Sequence, residues 1–279
     1  MPSIALCTLV LNEMEWLPKL YEQHKDWPNL TKWIFVESAD RVYAATSPHM
    51  VTTEGLSVDG TSQFLQDLAF CDPRIIYIPY GFCSNSNPAL GKIEARQQYL
   101  DALLDVAPEF LMILDADEFY MRSDQSAINQ RLRVSGGKYR HFCFQFTHIW
   151  HPQSIDYAPL FQYEVTGGFW DMRHTKGIRW NKDLRYSTNH QRPEVGNERG
   201  AMATFNKPHC IHMAFASNPA MREAKHTYYI NRGEGVVDGR QWYVDSRDMF
   251  RTWSPGMNLP RGARVQEYRG PIPEAFNAI

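Results

Sequence analysis

No two cysteines of the chain stand at C-x-x-C spacing. The five present, Cys7, Cys71, Cys83, Cys143 and Cys210, are odd in number and scattered. A disulfide framework or a zinc knuckle is therefore not expected, and a reducing compartment fits best. No apolar run approaches the roughly 20 residues needed to cross a bilayer. The N-terminus has no basic stretch ahead of a hydrophobic one, so it reads as a first strand, not a signal peptide, and a cytoplasmic location is expected. Excess charge of one sign is also missing: 29 Lys and Arg face 31 Asp and Glu, for a net charge of −2. Nothing global draws such a chain to nucleic acid or to a membrane. There is no Pro/Gly/Ser linker and no internal repeat.

What the 279 residues do contain is core material, 43% hydrophobic and 13% aromatic. Residues 4–11 form an almost unbroken apolar run, as in a parallel strand buried on both faces. Asn12 follows, with Glu15 three residues on in a capping-box spacing. Trp16, Leu20, His24 and Trp27 then recur at helical intervals. A second buried strand, residues 33–36, ends on Glu37, and the polar stretch to Gly60 shows no clear element. A helix around residues 64–69 and a third strand at 74–78 follow, then a Ser/Asn/Gly loop at 81–90 and a helix from Ile93 to about Ala107. Residues 110–114 are the most hydrophobic short run and stop abruptly at Asp115. This alternation predicts an α/β protein with a mostly parallel sheet and flanking helices. Such sheets bind ligands beyond the carboxyl ends of their strands. After about residue 135 the pattern turns to strand-like runs at 140–146 and 161–165, rich in aromatics, so the chain divides into residues 1–135 and an elaborated half, 136–279.

The sharpest chemical signal is Asp115-Ala116-Asp117. Two carboxylates two residues apart, just beyond a buried strand, can converge on one hard cation, Mn²⁺ or Mg²⁺, shared with substrate phosphates. A solvated acidic turn is the plain alternative, but such turns rarely follow five consecutive buried residues. Haloacid-dehalogenase phosphatases also place D-x-D after an apolar strand. Their motif stands near the start of the domain with Thr or Val after the second Asp, whereas here Glu118 follows and three strands precede.

Four segments together resemble GT-A glycosyltransferases, in particular family 2-like enzymes. They are residues 8–13 ending in Asn12-Glu13, residues 35–40 carrying Glu37 and Asp40, Gly91-Lys92 with Ala95-Arg96, and the D-x-D itself. The resemblance implies a GT-A fold, with residues 1–135 binding a nucleoside-diphosphate sugar and residues 136–279 binding the acceptor. It makes Asn12, Glu37, Asp40, Lys92, Arg96 and Asp115 candidate nucleotide contacts. A later segment, His209-Cys210-Ile211-His212 with Lys225, Tyr228-Tyr229 and Arg232-Gly233, resembles the part of related transferases where a His completes the metal shell. Strand alternation favours His212 over His209 as that ligand, beside Asp115 and Asp117. An inverting transfer needs a carboxylate or imidazole as base, for which Asp171, Glu194, Glu198 and His190 are the candidates.

Residues 173–207 carry a net charge of +5 inside a chain of −2. Trp180 and Tyr186 interleave the charge. The segment reads as a basic surface loop meeting an anionic acceptor: a phosphate-bearing glycan, a lipid-linked carrier or a modified DNA base. Two rival functions remain: a non-catalytic nucleotide-sugar binder, and a metal-dependent nucleotidyltransferase or phosphatase.

Overall fold

The computed structural model describes residues 1–85, 87–151, 160–165, 173–187, 192–196, 200–231, 236–237, 240–241 and 263–276. They belong to two compact units that interleave along the chain: residues 1–145, 173–210 and 272–279, and residues 146–172 with 211–271. The protein is a mixed α/β chain whose sheet is parallel across its N-terminal strands, with helices flanking it. Among the described residues no helix is long and apolar enough to cross a membrane. All five cysteines are free thiols.

In the first unit, β1 (Ile4–Val10) runs between β2 (Leu30–Ala39) and β4 (Phe110–Ile113), parallel to both. β3 (Ile75–Phe82) adds in parallel beyond β2. The unbroken apolar run of β1 follows from this central place, since both of its faces are covered. Beyond β4 the ladder turns antiparallel: β8 (Arg173–Arg179) pairs with β4, and the first residues of β6 (His141–Trp150) pair with β8. β11 (Met202–Phe215) pairs with β6 and with the short β5 (Glu118–Phe119). β9 (Leu184–Arg185) and β10 (Glu194–Val195) form a separate ribbon.

Helix α4 (Pro88–Ala102) covers one face of the sheet, packing Ile93, Tyr99 and Leu100, with Leu103 just after it, against Cys7, Val36, Ile113 and Ile178. Each such side chain removed from water contributes about 1.5–3 kcal/mol. α1 (Leu17–His24) lies among an aromatic group in which Trp33 stacks on Phe35 and Trp27 meets Tyr120 edge-on. α3 (Thr61–Cys71) precedes β3, and α5 (Arg122–Ser135), absent from the sequence reading, supplies Asn129 to the Trp27 indole at 2.8 Å. In the second unit, β7 (Phe161–Val165) pairs antiparallel with residues 148–150 and with β14 (Ala263–Glu267). That unit also holds α6 (Pro219–Asn231) and the two-residue strands β12 (Val236–Val237) and β13 (Arg240–Gln241).

Several local expectations change. Asn12 caps no helix: it sits in the left-handed region at φ 56°, and α1 begins after Trp16. The polar stretch before Gly60 holds α2 (Arg41–Thr46), capped by Asp40, and a 3-10 turn at Pro48–Met50. Helix α4 starts and stops five residues earlier than the apolar spacing suggested: Pro88 suits a first turn, and residues 103–106 continue only as turns before Ala107 at φ 44°.

His24 is wholly buried, stacked on Trp27 and edge-on to Trp33. Its Nε2 accepts the Tyr120 N–H at 3.1 Å, so its Nδ1 carries the proton given to the Leu20 carbonyl at 3.0 Å. Burial pulls its pKa down from 6.5 to about 4, against the opposing Leu20 bond. A depressed histidine supports the fold above the unfolded value and loses that support as pH falls through the folded one. Acidification from pH 6.5 to 4 should therefore cost the fold about 3 kcal/mol through this residue alone. NMR titration of the imidazole checks it: the ring should stay neutral at pH 5, and a midpoint near 6.5 would contradict the assignment.

Candidate functional site

The strand order β3-β2-β1-β4 places the chain's change of direction between β1 and β4, where open α/β sheets leave a crevice at their carboxyl ends. Residues 115–118 turn there. Leu114 donates to the Cys7 carbonyl, fixing the exit of β4 against β1 at 3.0 Å. Within the turn, Glu118 N–H donates to the Asp115 carbonyl at 3.0 Å, and the Glu118 carboxylate accepts the Asp115 N–H at 2.9 Å. This reciprocal pair sets the backbone of the D-x-D segment.

Two cations converge on the turn from different elements. Arg96, on α4, donates to one Asp115 oxygen at 2.9 Å. Lys176, on β8, lies 2.6 Å from Glu118 and 3.5 Å from the other Asp115 oxygen. Register explains the second arrival. Gly177 is opposite Met112, and β8 is antiparallel, so Lys176 falls level with Ile113, the last residue of β4, next to the turn. Gly177 is also where a Cβ would crowd Leu132, Phe142 and Met112 at 3.0–3.2 Å. The four side chains differ sharply in exposure: Glu118 2%, Arg96 4% and Lys176 6%, against 38% for Asp115. One accessible carboxylate thus rests on a buried shell.

The electrostatics follow from that burial. Burial drives the Glu118 pKa up to about 7; Lys176 opposes the rise, and Asp115 and Asp117 add to it. Burial works against charge on Lys176 and Arg96, yet the adjacent carboxylates leave both more strongly protonated than usual. Tyr99 and Tyr186, both buried, also act on the Arg96 guanidinium.

The other candidates separate clearly. Asp117 is buried within the same turn, and Lys92 is half-buried one helical turn before Arg96. Glu37 is fully buried: it accepts from Ser57 N–H at 2.6 Å, from the Ser62 hydroxyl at 2.8 Å and from the Tyr77 hydroxyl. Asn12 bridges the same loop, donating to the Met50 carbonyl at 2.6 Å and accepting from Val58 N–H at 2.9 Å. These two side chains fasten the 50–62 loop to the ends of β1 and β2. Asp40 accepts the Tyr43 N–H at 2.8 Å as a helix cap. Glu194 accepts the Gly200 N–H at 3.1 Å. Asp171, His190 and Glu198 lie outside the described residues.

His212 belongs to the second unit, where its Nδ1 stands 2.6 Å from that of His148, with the Phe146 ring beside both. His148 was not foreseen. Among the described residues no three His, Cys, Asp or Glu side chains cluster as a metal-binding group. The donor chemistry at the turn nonetheless suits a hard cation, because Mg²⁺ is commonly held by one or two carboxylates with substrate phosphates completing the shell.

The basic segment is not one surface loop. It contains β8, β9 and β10, and Lys176 points into the interior. Arg179 donates to the Gly136 carbonyl at 2.7 Å and Arg185 to the Leu184 carbonyl at 2.6 Å; both are exposed, as are Lys182 and Lys207, which among the described residues make no such bond to a backbone carbonyl. Strand periodicity held the clue to Lys176: it shares a face with Ile178, which belongs to the core.

No family model matches the chain, and no curated protein does. Among solved structures it is similar to S. aureus TarS 1–349, with a TM-score of 0.43 and 10% identity, over 89% of this chain and 70% of that one. A second is the mannosyltransferase PcManGT from Pyrobaculum calidifontis in complex with GDP-Man and Mn²⁺, with a TM-score of 0.41, 13% identity and the same coverage. A third is a 4-diphosphocytidyl-2C-methyl-D-erythritol synthase, with a TM-score of 0.37 and 11% identity, over 64% of this chain and 76% of that one. Likeness at this level carries no argument about chemistry, so function must be read from the residues.

The buried pair gives a stability prediction. Lys176→Ala strands a buried Glu118 and should cost about 3–5 kcal/mol, because breaking a buried pair leaves an uncompensated charge. Lys176→Met with Glu118→Gln removes both charges and keeps an acceptor for the Asp115 N–H, so most of that loss should return. Urea unfolding of the two variants at pH 8 measures the difference. Equal losses would mean that the pair is not a unit.

Proposed function

We propose that the chain is a GT-A-type glycosyltransferase that moves a sugar from a nucleoside diphosphate to an acceptor hydroxyl, with Mn²⁺ or Mg²⁺ as cofactor. The observation that carries this reading is the single accessible carboxylate, Asp115, at the strand-order change and backed by Arg96 and Lys176. Asp115 and Asp117 would hold the ion, which when bound supplies positive charge to the departing diphosphate. The chain's own residues supply preorganisation. Glu118 locks the turn, Arg96 and Lys176 orient Asp115, and none of these groups has to reorganise during transfer. Lys92, one turn before Arg96 on α4, would meet the same anion. Glu37 and Asn12 act by shaping the 50–62 loop. The acceptor base is proposed among Asp171, His190, Glu194 and Glu198.

Isothermal titration with UDP and GDP, with and without Mn²⁺, tests the site. Asp115→Ala and Asp117→Ala should each weaken Mn²⁺-dependent nucleotide binding at least about tenfold, a difference of about 1.4 kcal/mol, with circular dichroism unchanged. Undiminished binding in both variants would sink the assignment. The released product tells the chemistry apart: a nucleoside diphosphate fits glycosyl transfer, and pyrophosphate fits nucleotidyl transfer.

An anionic acceptor remains the proposal that fits the exposed part of the basic segment. If Lys182 and Lys207 meet acceptor phosphates, the acceptor KM should rise steeply with salt, since each neutralised phosphate releases counterions. The donor KM should change less. Lys182→Glu with Lys207→Glu should raise only the acceptor KM. Steady-state kinetics at several salt concentrations decides this, and an acceptor KM indifferent to both would exclude these lysines from acceptor binding.

A further inference from the structure

Lys176 and Arg96 hold opposite oxygens of the carboxylate that the metal ion must use. The turn brings together three carboxylates, Asp115, Asp117 and Glu118, and the two buried cations Arg96 and Lys176. Formally the group carries one negative charge. A divalent ion arriving alone would turn it positive, and would have to compete with a guanidinium at 2.9 Å and an ammonium at 3.5 Å for the Asp115 oxygens. A diphosphate arriving with the ion supplies the missing negative charge and gives both cations a further anion to face. Neither cation can swing out to solvent to yield its place, because both side chains are enclosed.

We propose that Arg96 and Lys176 act as built-in counter-cations for Asp115, so that the divalent ion enters the site together with the diphosphate and not before it. This deepens the metal–diphosphate reading of the site and rests on it. Lys176 and Arg96 are positioning residues for the ion: they act through the carboxylate. The coupling is reciprocal, so the ion tightens nucleotide binding by the factor by which the nucleotide tightens the ion.

The test measures Mn²⁺ binding to the full chain by electron paramagnetic resonance, without nucleotide and then with saturating UDP or GDP, whichever binds. In the wild-type chain Mn²⁺ alone should bind weakly and tighten at least about tenfold when the nucleotide is present. Arg96→Met and Lys176→Met should each bind Mn²⁺ alone about tenfold more tightly than wild type, because a like charge beside the ligand is gone. The nucleotide-dependent gain should shrink accordingly. A gain of affinity is a readout that loss of structure does not produce. Where Lys176→Met fails to fold by circular dichroism, Arg96→Met decides, since the Asp115 carboxylate keeps Lys176 at its other oxygen and is exposed enough for water to take the place of the guanidinium. Variants that bind Mn²⁺ alone no better than wild type, with Mn²⁺-dependent nucleotide binding intact, overturn the counter-cation role and leave the site reading standing. A wild-type chain that binds neither UDP nor GDP with Mn²⁺ overturns the site reading and the proposal together.

Discussion

The ion pair between Lys176 and Glu118 is the constraint on which the carboxyl end of the sheet depends. Strand β4 is apolar to its last residue, and the turn that follows returns a glutamate carboxylate to its own Asp115 N–H. A charge so enclosed needs a partner, or it is driven toward its neutral form. The parallel strands offer none, because their sequences are apolar through the same layer. The partner comes from β8, the first antiparallel strand beside β4, whose register brings a lysine level with the last residue of that strand, next to the turn. The change from parallel to antiparallel pairing is therefore tied to the chemistry of the turn, and Gly177 lets β8 lie close enough for the lysine to reach.

The two faces of the sheet divide the work differently. On the α4 side, Arg96 and Lys176 interrupt an otherwise aliphatic and tyrosine-rich layer and aim charge at the turn. On the α1 side the wholly buried His24 and Trp27 are neutral and bonded within the core: His24 between Leu20 and Tyr120, and Trp27 on Asn129. Neutral buried groups with complete hydrogen bonds add rigidity at low cost. Charged ones cost more to bury, and replacement by apolar residues of similar volume is often neutral or stabilising. Stability alone thus gives no reason to enclose two cations and a glutamate in one layer, whereas holding a nearby exposed carboxylate in one orientation does.

Much of this was legible in the sequence where physics is local. The runs at 4–11, 33–36 and 110–114 announce buried strands because a strand covered on both faces has no polar positions. Asp115 stands out because it ends such a run. Lys176 was read as part of a charged loop, since the count of charges along a segment is blind to which face a strand turns inward. Asn12 followed by Glu15 has the spacing of a capping box, but tertiary bonds to Met50 and Val58 draw the asparagine into a left-handed bridge instead. Helix α5 escaped notice because its mean hydropathy is low and only Gln125, Ile128, Asn129 and Leu132 face inward. Both of its buried polar residues are bonded to α1 or to the segment just after it, contacts about a hundred residues away in sequence.

Glu37 shows what separates an enclosed, structural carboxylate from an accessible one at the same end of the same sheet. Glu37 and Asp115 both follow hydrophobic strands, and sequence pattern ranks them alike. Glu37 is completely enclosed and takes three donors, from the 50–62 loop, from the start of α3 and from β3, so its charge is consumed in holding that loop. Asp115 keeps over a third of its side chain open while its backbone and both oxygens are fixed by Glu118, Arg96 and Lys176. Fixed orientation with partial access is the condition under which a charge acts on a ligand without paying reorganisation energy. Enclosed, the same carboxylate only stabilises. Fully solvated and unsupported, it would lose its directionality to water and its own rotamers. Asp115 lies between these limits because buried neighbours from three different elements reach its carboxylate and its backbone.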